Sequence, residues 1–192
     1  MDSKINTSSI EIERIVEIKK RLSNSTKLCG KTKIITIDGP SGSGKTTLAK
    51  FISNFLEGSY IIHMDELYNG WEQPLNEKLF NNVFNWIIKP ISESEPITYF
   101  KFDWINYKRL EKRTIESYSN IIIEGVGSNN LKTRQFSNLK IWIEADANLT
   151  LSRVLNRDGY KIKKHMLVWR EKEKLYFANN NVKINSDLYF NT

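Results

Sequence analysis

The sequence predicts a three-layer α/β/α domain with a mainly parallel five-stranded sheet at its centre. Strand-like apolar runs alternate with helical patterns along the chain, and the runs at 34–38 and 121–124 are apolar almost throughout. Continuous apolar runs are typical of parallel strands, because helices cover both faces of such a sheet. Charged residues follow several of these runs, at the sheet edge where open parallel sheets bind their ligands.

Each element is predicted from the periodicity of its apolar residues. Ser8 and Glu11 have the spacing of a capping box, which predicts that an N-terminal helix begins there. Residues 1–32 are assigned to this helix and its connector, and residues 33–192 to the main domain. Strands are predicted over 34–38, 60–65, 121–124, 139–144 and, more weakly, 187–190. Helices are predicted over 45–56, 76–89, 147–156 and 165–179.

The composition limits the classes of function. The 192 residues suit one domain, and no stretch approaches the roughly 18 apolar residues of a membrane helix, so a cytoplasmic protein without membrane contact is expected. A single cysteine and two distant histidines favour neither a disulfide nor a zinc site. The net charge of +7 suits binding of polyanionic nucleotides. Because the basic residues are scattered, a nucleic-acid partner is not expected, and a homodimer is left open.

The segment 34–47 carries the most specific functional signal. It reads as an apolar strand, then G-x-x-x-x-G-K-T, then the start of a helix. Glycines let successive N–H groups turn towards anionic oxygens, Lys45 reaches the β- and γ-phosphates, and the Thr46 hydroxyl lies on Mg²⁺. The predicted phosphate loop consists of Gly39, Pro40, Ser41, Gly42, Ser43, Gly44, Lys45, Thr46 and Thr47. A nucleotide-binding module without catalysis could carry the same loop.

Two further strand ends carry carboxylates. Asp65 follows the second strand, where it can accept the proton of an attacking hydroxyl or cap the next turn. Glu124 ends the strand at 121–124, where phosphate-loop proteins hold Mg²⁺. Asp38, directly before the loop, is a weaker candidate for the metal's water shell. Tyr68 and Trp71 can supply a flat wall for a base or sugar.

Two other segments suit an acceptor site and a lid. The aromatic stretch 96–104 offers Tyr99, Asp103 and Trp104 to an acceptor, although a side hairpin that packs aromatic rings explains it equally well. Arg153 and Arg157 lie four residues apart and share one helix face before Asp158-Gly159. Cations beside a glycine hinge suit a lid that closes over a transferring phosphoryl group, and a solvated basic helix is the alternative.

Together these motifs resemble the uridine kinase-like branch of the P-loop kinases. The resemblance lies in GPSGSGKTT at 39–47, HMDELY at 63–68, IIIEG at 121–125 and KIWIEADANLTLSRVLNRD at 140–158, and covers about 33–190. It implies a P-loop NTPase-type fold and ATP- and Mg²⁺-dependent phosphorylation of a hydroxyl on a nucleoside or similar small molecule. It also implies that Asp65 is the base, that Lys45 and Thr46 hold Mg·ATP, and that Arg153 and Arg157 serve a helical lid.

The acceptor segments depart from the family pattern. The histidine–proline–aspartate segment of the nucleoside kinases and the R-G-R ending of their lid have no counterpart. A nucleoside monophosphate is therefore an alternative acceptor, with Arg109 and Arg113 as the basic residues for its phosphate. A non-catalytic regulatory module is a further alternative.

Overall fold

The computed structural model describes residues 3–72, 74–116 and 118–192, with side chains from Glu13 onward. The helices are α1 (Ser3–Asn24), α2 (Lys45–Phe55), α3 (Glu77–Val83), α4 (Lys89–Glu93), α5 (Leu131–Arg134), α6 (Ala147–Asp158) and α7 (Lys163–Asn180). The strands are β1 (Lys33–Asp38), β2 (Ser59–His63), β3 (Ile97–Asp103), β4 (Lys108–Ile115), β5 (Asn120–Glu124), β6 (Ser137–Glu144) and β7 (Leu188–Asn191).

The main sheet has five parallel strands in the order β2-β5-β1-β6-β7. This confirms the predicted parallel α/β architecture, including the weak fifth strand. β1 lies at the centre, and its residues Ile34, Ile35 and Ile37 are fully buried because helices cover both faces. Glu124 of β5 is paired with Ile37 of β1 and with His63 of β2, so these three strands end side by side.

The N-terminal helix packs on the main sheet. Ile18 and Leu22 of α1 are buried in a cluster with Ile35, Ile141 and other apolar residues of β1, β5, β6 and β7. Burying a side chain of this size contributes about 1.5–3 kcal/mol to the free energy of unfolding. The helix begins at Ser3 rather than at the predicted capping box, whose side chains, those of Ser8 and Glu11, lie outside the described ones.

Two predicted boundaries shift near the site. The strand predicted over 60–65 ends at His63, and Met64–Glu66 form a 3₁₀ turn that takes Asp65 out of the sheet. The helix predicted over 76–89 extends to Glu93 through a π-helical turn, Phe84–Ile88. That turn precedes Pro90, which lacks the amide needed to continue a regular α-helical ladder.

The aromatic segment forms the hairpin of β3 and β4, which is the side hairpin that the sequence left open. The two strands are antiparallel and form a separate two-stranded sheet beside the 3₁₀ turn. Arg109 and Arg113 therefore lie on a strand. Within the described ranges, no helix combines the length and the apolar character needed to span a bilayer.

Candidate active site

The phosphate loop joins the central strand β1 to α2 in the predicted way. Gly42 has a φ of +84°, and a Cβ there would lie 2.3 Å from the carbonyl oxygen of Thr150, so only glycine fits. Lys45 is buried, and its Nζ donates to the carbonyl oxygens of Gly39 (2.8 Å) and Pro40 (2.7 Å). Burial lowers the pKa of Lys45. Because the first-turn amides of α2 lack helical partners, the loop offers donors and a positive dipole to an anion.

Glu173 anchors this loop from α7, a role that the sequence analysis missed. Its Oε1 accepts hydrogen bonds from the Ser41 amide at 3.0 Å, from the Ser41 hydroxyl and from the Trp169 indole. The side chain is 3% exposed, and burial raises its pKa. Glu173 is one of several charged residues in a mixed-charge helix, so nothing in the sequence distinguishes it.

The Mg²⁺ candidates Thr46 and Glu124 are in direct contact. The Thr46 hydroxyl donates to Glu124 Oε1 at 2.8 Å, and His63 Nδ1 lies 2.6 Å from the same oxygen. Burial raises the pKa of Glu124, but the hydrogen bonds from His63 and Thr46 outweigh it, so the carboxyl remains more acidic than usual. The bond to Glu124 raises the pKa of His63.

These oxygens fit Mg²⁺. In the described part of the chain, no group of three or more His, Cys, Asp or Glu side chains forms a complete metal cage. Mg²⁺ is usually bound through one or two carboxylates together with substrate phosphates and water, and needs no such cage. A hydroxyl and an ionised carboxylate beside the phosphate loop are therefore an appropriate donor set.

Asp38 is a structural carboxylate and does not face the metal site. It accepts hydrogen bonds from the amides of Gly39, Gly127 and Asn129 and from the Tyr176 hydroxyl. It is fully buried, and burial raises its pKa to about 6. Asp38 thus ties the loop after β5 to the end of β1.

Two cavities of about 620 Å³ each adjoin the phosphate loop. The first extends from the loop towards α1 and β7, and the second extends between the 3₁₀ turn and α7. Thr46, Asp65 and Arg157 line both cavities, so the cavities meet beside the loop.

Asp65 and its neighbour Glu66 both line the second cavity, but their carboxylates differ in their contacts. Glu66 accepts hydrogen bonds from the Tyr99 hydroxyl (2.6 Å) and from Lys101 (2.8 Å). Among the described residues, no group hydrogen-bonds to the Asp65 carboxylate, although its backbone oxygen accepts from the Trp104 indole at 3.0 Å. Desolvation by the cleft walls and the charge of Glu124 raise the pKa of Asp65. Asp65 is thus free to accept a proton, whereas Glu66 is engaged.

The second cavity has aromatic walls. Tyr68, Trp71 and Trp104 line it, and Trp169 adds a wall that the sequence analysis missed. The Trp71 ring centroid lies 4.9 Å from that of Trp104 and 5.8 Å from that of Trp169. The Tyr68 hydroxyl is directed away and donates to the carbonyl oxygen of Val126 at 2.6 Å. The cavity therefore offers flat apolar surfaces beside the Asp65 carboxylate.

Two predicted acceptor residues lie elsewhere. Asp103 accepts hydrogen bonds from the amides of Ile105 and Asn106 and from the Asn106 side chain, so it closes the turn of the hairpin and lines neither cavity. Tyr99 is 2% exposed and lies behind Glu66. Side chains alternate between the two faces of a strand, and the sequence does not show which face lines the cavity. The sequence alone therefore could not exclude these two residues from the acceptor site.

The two arginines of the predicted lid lie on α6 and diverge at their ends. Arg153 Nη1 donates to Thr192 Oγ1 at 3.1 Å and to the Gly42 carbonyl oxygen at 3.4 Å, within the first cavity. Arg157 lines both cavities, makes two bonds of 2.7 Å to Asp158, and is 67% exposed. Gly159, directly after α6, has a φ of +90°, a conformation that favours glycine.

The basic residues considered for a second phosphate are engaged in other contacts. The Arg109 guanidinium donates to the carbonyl oxygens of Phe100 (2.6 Å), Leu67 (2.6 Å) and Tyr68 (2.9 Å). It thereby joins the hairpin to the turn that carries Asp65. Arg113 is paired with Glu111 at 3.1 Å.

Comparisons with known proteins identify the family and the fold of this chain. A family profile described as an AAA domain matches residues 35–178. A uridine kinase from Borreliella burgdorferi (strain ZS7) is 32% identical over 138 residues, which cover 66% of this chain and 67% of that protein. The solved structure of "a Possible Uridine Kinase" from Bacillus stearothermophilus matches with a TM-score of 0.65 and 20% identity, covering 93% of this chain and 97% of that one. D-glycerate 3-kinase from Cryptococcus neoformans var. grubii matches with a TM-score of 0.55 and 11% identity, covering 92% and 89%. The two structures share the fold of this chain.

Proposed function

This chain belongs to the uridine kinase-like family of P-loop kinases, and from that premise we propose how its two cavities transfer a phosphoryl group from ATP to an acceptor hydroxyl. It is a phosphotransferase that acts on a hydroxyl group of a small molecule. The non-catalytic alternative considered for the phosphate loop is therefore set aside.

One observation supports the assignment of one cavity to ATP and the other to the acceptor. The cavity at the phosphate loop and the aromatic cavity meet at Thr46, Asp65 and Arg157. Phosphoryl transfer depends on positioning the two substrates in line and on stabilising negative charge between them. A hydroxyl, a carboxylate and a guanidinium at the junction supply a metal donor, a base and a cation.

The phosphate side is formed by the loop residues 39–47. Lys45 leaves the carbonyl oxygens of Gly39 and Pro40 to contact phosphate oxygens, while the first-turn amides of α2 donate to the same anion. Thr46 and Glu124 would hold Mg²⁺. When bound, Mg²⁺ neutralises the charge on the phosphate oxygens.

The acceptor side depends on Asp65. Its carboxylate, free of hydrogen bonds from the described residues, accepts the proton of the acceptor hydroxyl as that oxygen attacks the γ-phosphorus of ATP. The bond from this phosphorus to the β–γ bridging oxygen breaks, and ADP leaves. Arg157 stabilises the negative charge that develops at the junction, and Arg153 stays with the loop and the nucleotide. The turn at Gly159 lets the end of α6 close over the site and exclude water.

The aromatic cavity suits a nucleoside or another small compound with a flat or apolar face. Trp71, Trp104 and Trp169 can stack on such a face, and the Glu66–Lys101 pair can bind its polar groups. Because relatives are named uridine kinases, we propose a pyrimidine nucleoside as the first acceptor to test. A nucleoside monophosphate is disfavoured because Arg109 is engaged with backbone carbonyls.

A screen of acceptor-dependent ATP consumption tests this function. The purified protein is incubated with Mg²⁺ and ATP against uridine and other nucleosides, nucleoside monophosphates and small alcohols, and each product is identified by mass. We expect turnover with a nucleoside or small alcohol that is lost in Asp65→Asn. If ATP binds and no acceptor class stimulates its consumption, the proposed acceptor site is incorrect.

A further inference from the structure

The N-terminal helix reaches the nucleotide cavity. Arg14 of α1 lines the first cavity together with Phe51, Phe190 and Thr192, at the end that faces away from the acceptor side. None of these four residues lines the second cavity. The sequence offered no signal for a role of α1 in ligand binding.

Arg14 is held in a defined position at this end of the cavity. Its guanidinium carbon lies 4.7 Å from the centroid of the Phe190 ring, within the range of a cation–π contact. Phe190 is 7% exposed and belongs to the buried cluster that also contains Ile18 of α1. Arg14 therefore contacts a ring of the same buried cluster that fixes α1 to the sheet.

The position of the phosphate loop indicates which part of ATP lies at this end of the cavity. The phosphates lie at the loop amides and Lys45, and the γ-phosphate faces the junction with Asp65, as the proposed function requires. The nucleoside portion of ATP must therefore extend into the remaining part of the first cavity, towards Arg14 and Phe190. A planar guanidinium that rests on one ring can offer its other face to a second ring.

We propose that α1 forms part of the nucleotide site, where Arg14, supported by Phe190, stacks on the base of ATP. The inference rests on the proposed function and adds the residue that recognises the base. The N-terminal helix then stabilises the sheet through Ile18 and Leu22 and recognises the nucleotide through Arg14.

Direct binding measurements on the full chain test this proposal without an acceptor. The dissociation constants of ATP and of inorganic tripolyphosphate are measured by calorimetry for the wild type, Arg14→Ala and Arg14→Lys. We expect both variants to bind ATP roughly 3- to 30-fold more weakly, as the loss of a cation–π or stacking contact implies, with tripolyphosphate affinity unchanged. Arg14→Lys keeps the charge and loses the planar group, so it separates stacking from attraction to phosphate.

Lys19→Ala is the matched control. Lys19 is also a cation on α1, and its Nζ lies 5.4 Å from the Phe55 ring centroid, but it does not line the cavity. We expect this variant to bind ATP as the wild type does. Equal losses of ATP and tripolyphosphate affinity, or unchanged ATP affinity in Arg14→Ala, would overturn the inference. Failure of the wild type to bind ATP would instead contradict the proposed function.

Discussion

Replacing Asp65 with asparagine removes the proposed base while preserving its shape. The carboxylate lines the junction and has no hydrogen bond to a described residue, so we expect the free energy of unfolding to change by less than about 0.5 kcal/mol. A positioned general base contributes roughly 10²- to 10⁴-fold to the rate. At 1.36 kcal/mol per tenfold, the variant should lose about 2.7–5.4 kcal/mol of transition-state stabilisation.

The assay is steady-state phosphorylation of the acceptor that the screen identifies, with ATP affinity measured separately. We expect kcat to fall by at least about 10²-fold and the Kd of ATP to stay within about twofold. Desolvation and the charge of Glu124 raise the pKa of Asp65. We therefore expect the kcat/KM of the wild type to fall on the acid side with a midpoint above about 3.9, the usual pKa of aspartate, and we expect this fall to be absent in the variant.

Glu66→Gln is the matched control for this prediction. Glu66 follows Asp65 directly and lines the same cavity, but it is engaged with Tyr99 and Lys101. We expect a change mainly in the KM of the acceptor, since this carboxylate is not free to take a proton. The reasoning would be refuted if Glu66→Gln lost a hundredfold in kcat while Asp65→Asn kept more than a tenth of its activity.

Four further predictions concern the metal site, the lid, the loop anchor and a buried acid. Thr46→Val should raise the Mg²⁺ concentration for half-maximal activity roughly tenfold, and an unchanged Mg²⁺ titration would exclude the hydroxyl as a donor. Arg157→Ala should lower kcat roughly 10²-fold with unaltered ATP affinity, whereas a purely solvated arginine would leave kcat unchanged. Glu173→Gln should raise the KM of ATP several-fold more than that of the acceptor, because it weakens the contact that holds Ser41; equal effects on both would indicate a general loss of structure. Burial raises the pKa of Asp38 from 3.8 to about 6, so the stability that its protonation contributes is present below pH 3.8 and lost as the pH rises through 6. By chemical denaturation, this contribution should decrease by about 2 kcal/mol between pH 4 and pH 7, and the decrease should be absent in Asp38→Asn.

The local parts of the fold and site could be predicted from the sequence. The phosphate loop is recognisable because its glycine spacing, its lysine and the flanking strand and helix are contiguous in the chain. The apolar runs of β1 and β5 indicate strands buried on both faces, so the parallel sheet follows from them. Asp65 and Glu124 could be placed near the loop because they follow strands whose carboxyl ends meet at the same sheet edge.

The contacts that hold and extend the site were decided by the tertiary structure. Ser41 and Glu173 are 132 residues apart, and nothing distinguishes Glu173 from the other carboxylate of α7, Glu171, until α7 packs beside the loop. Arg14 reaches the nucleotide cavity only because α1 packs on the sheet next to β7. The outward turn of Asp103 and the free carboxylate of Asp65 likewise depend on how the hairpin and the 3₁₀ turn pack. A sequence pattern reports the conformation of neighbouring residues, whereas the partner of a side chain depends on which distant surfaces the fold brings together.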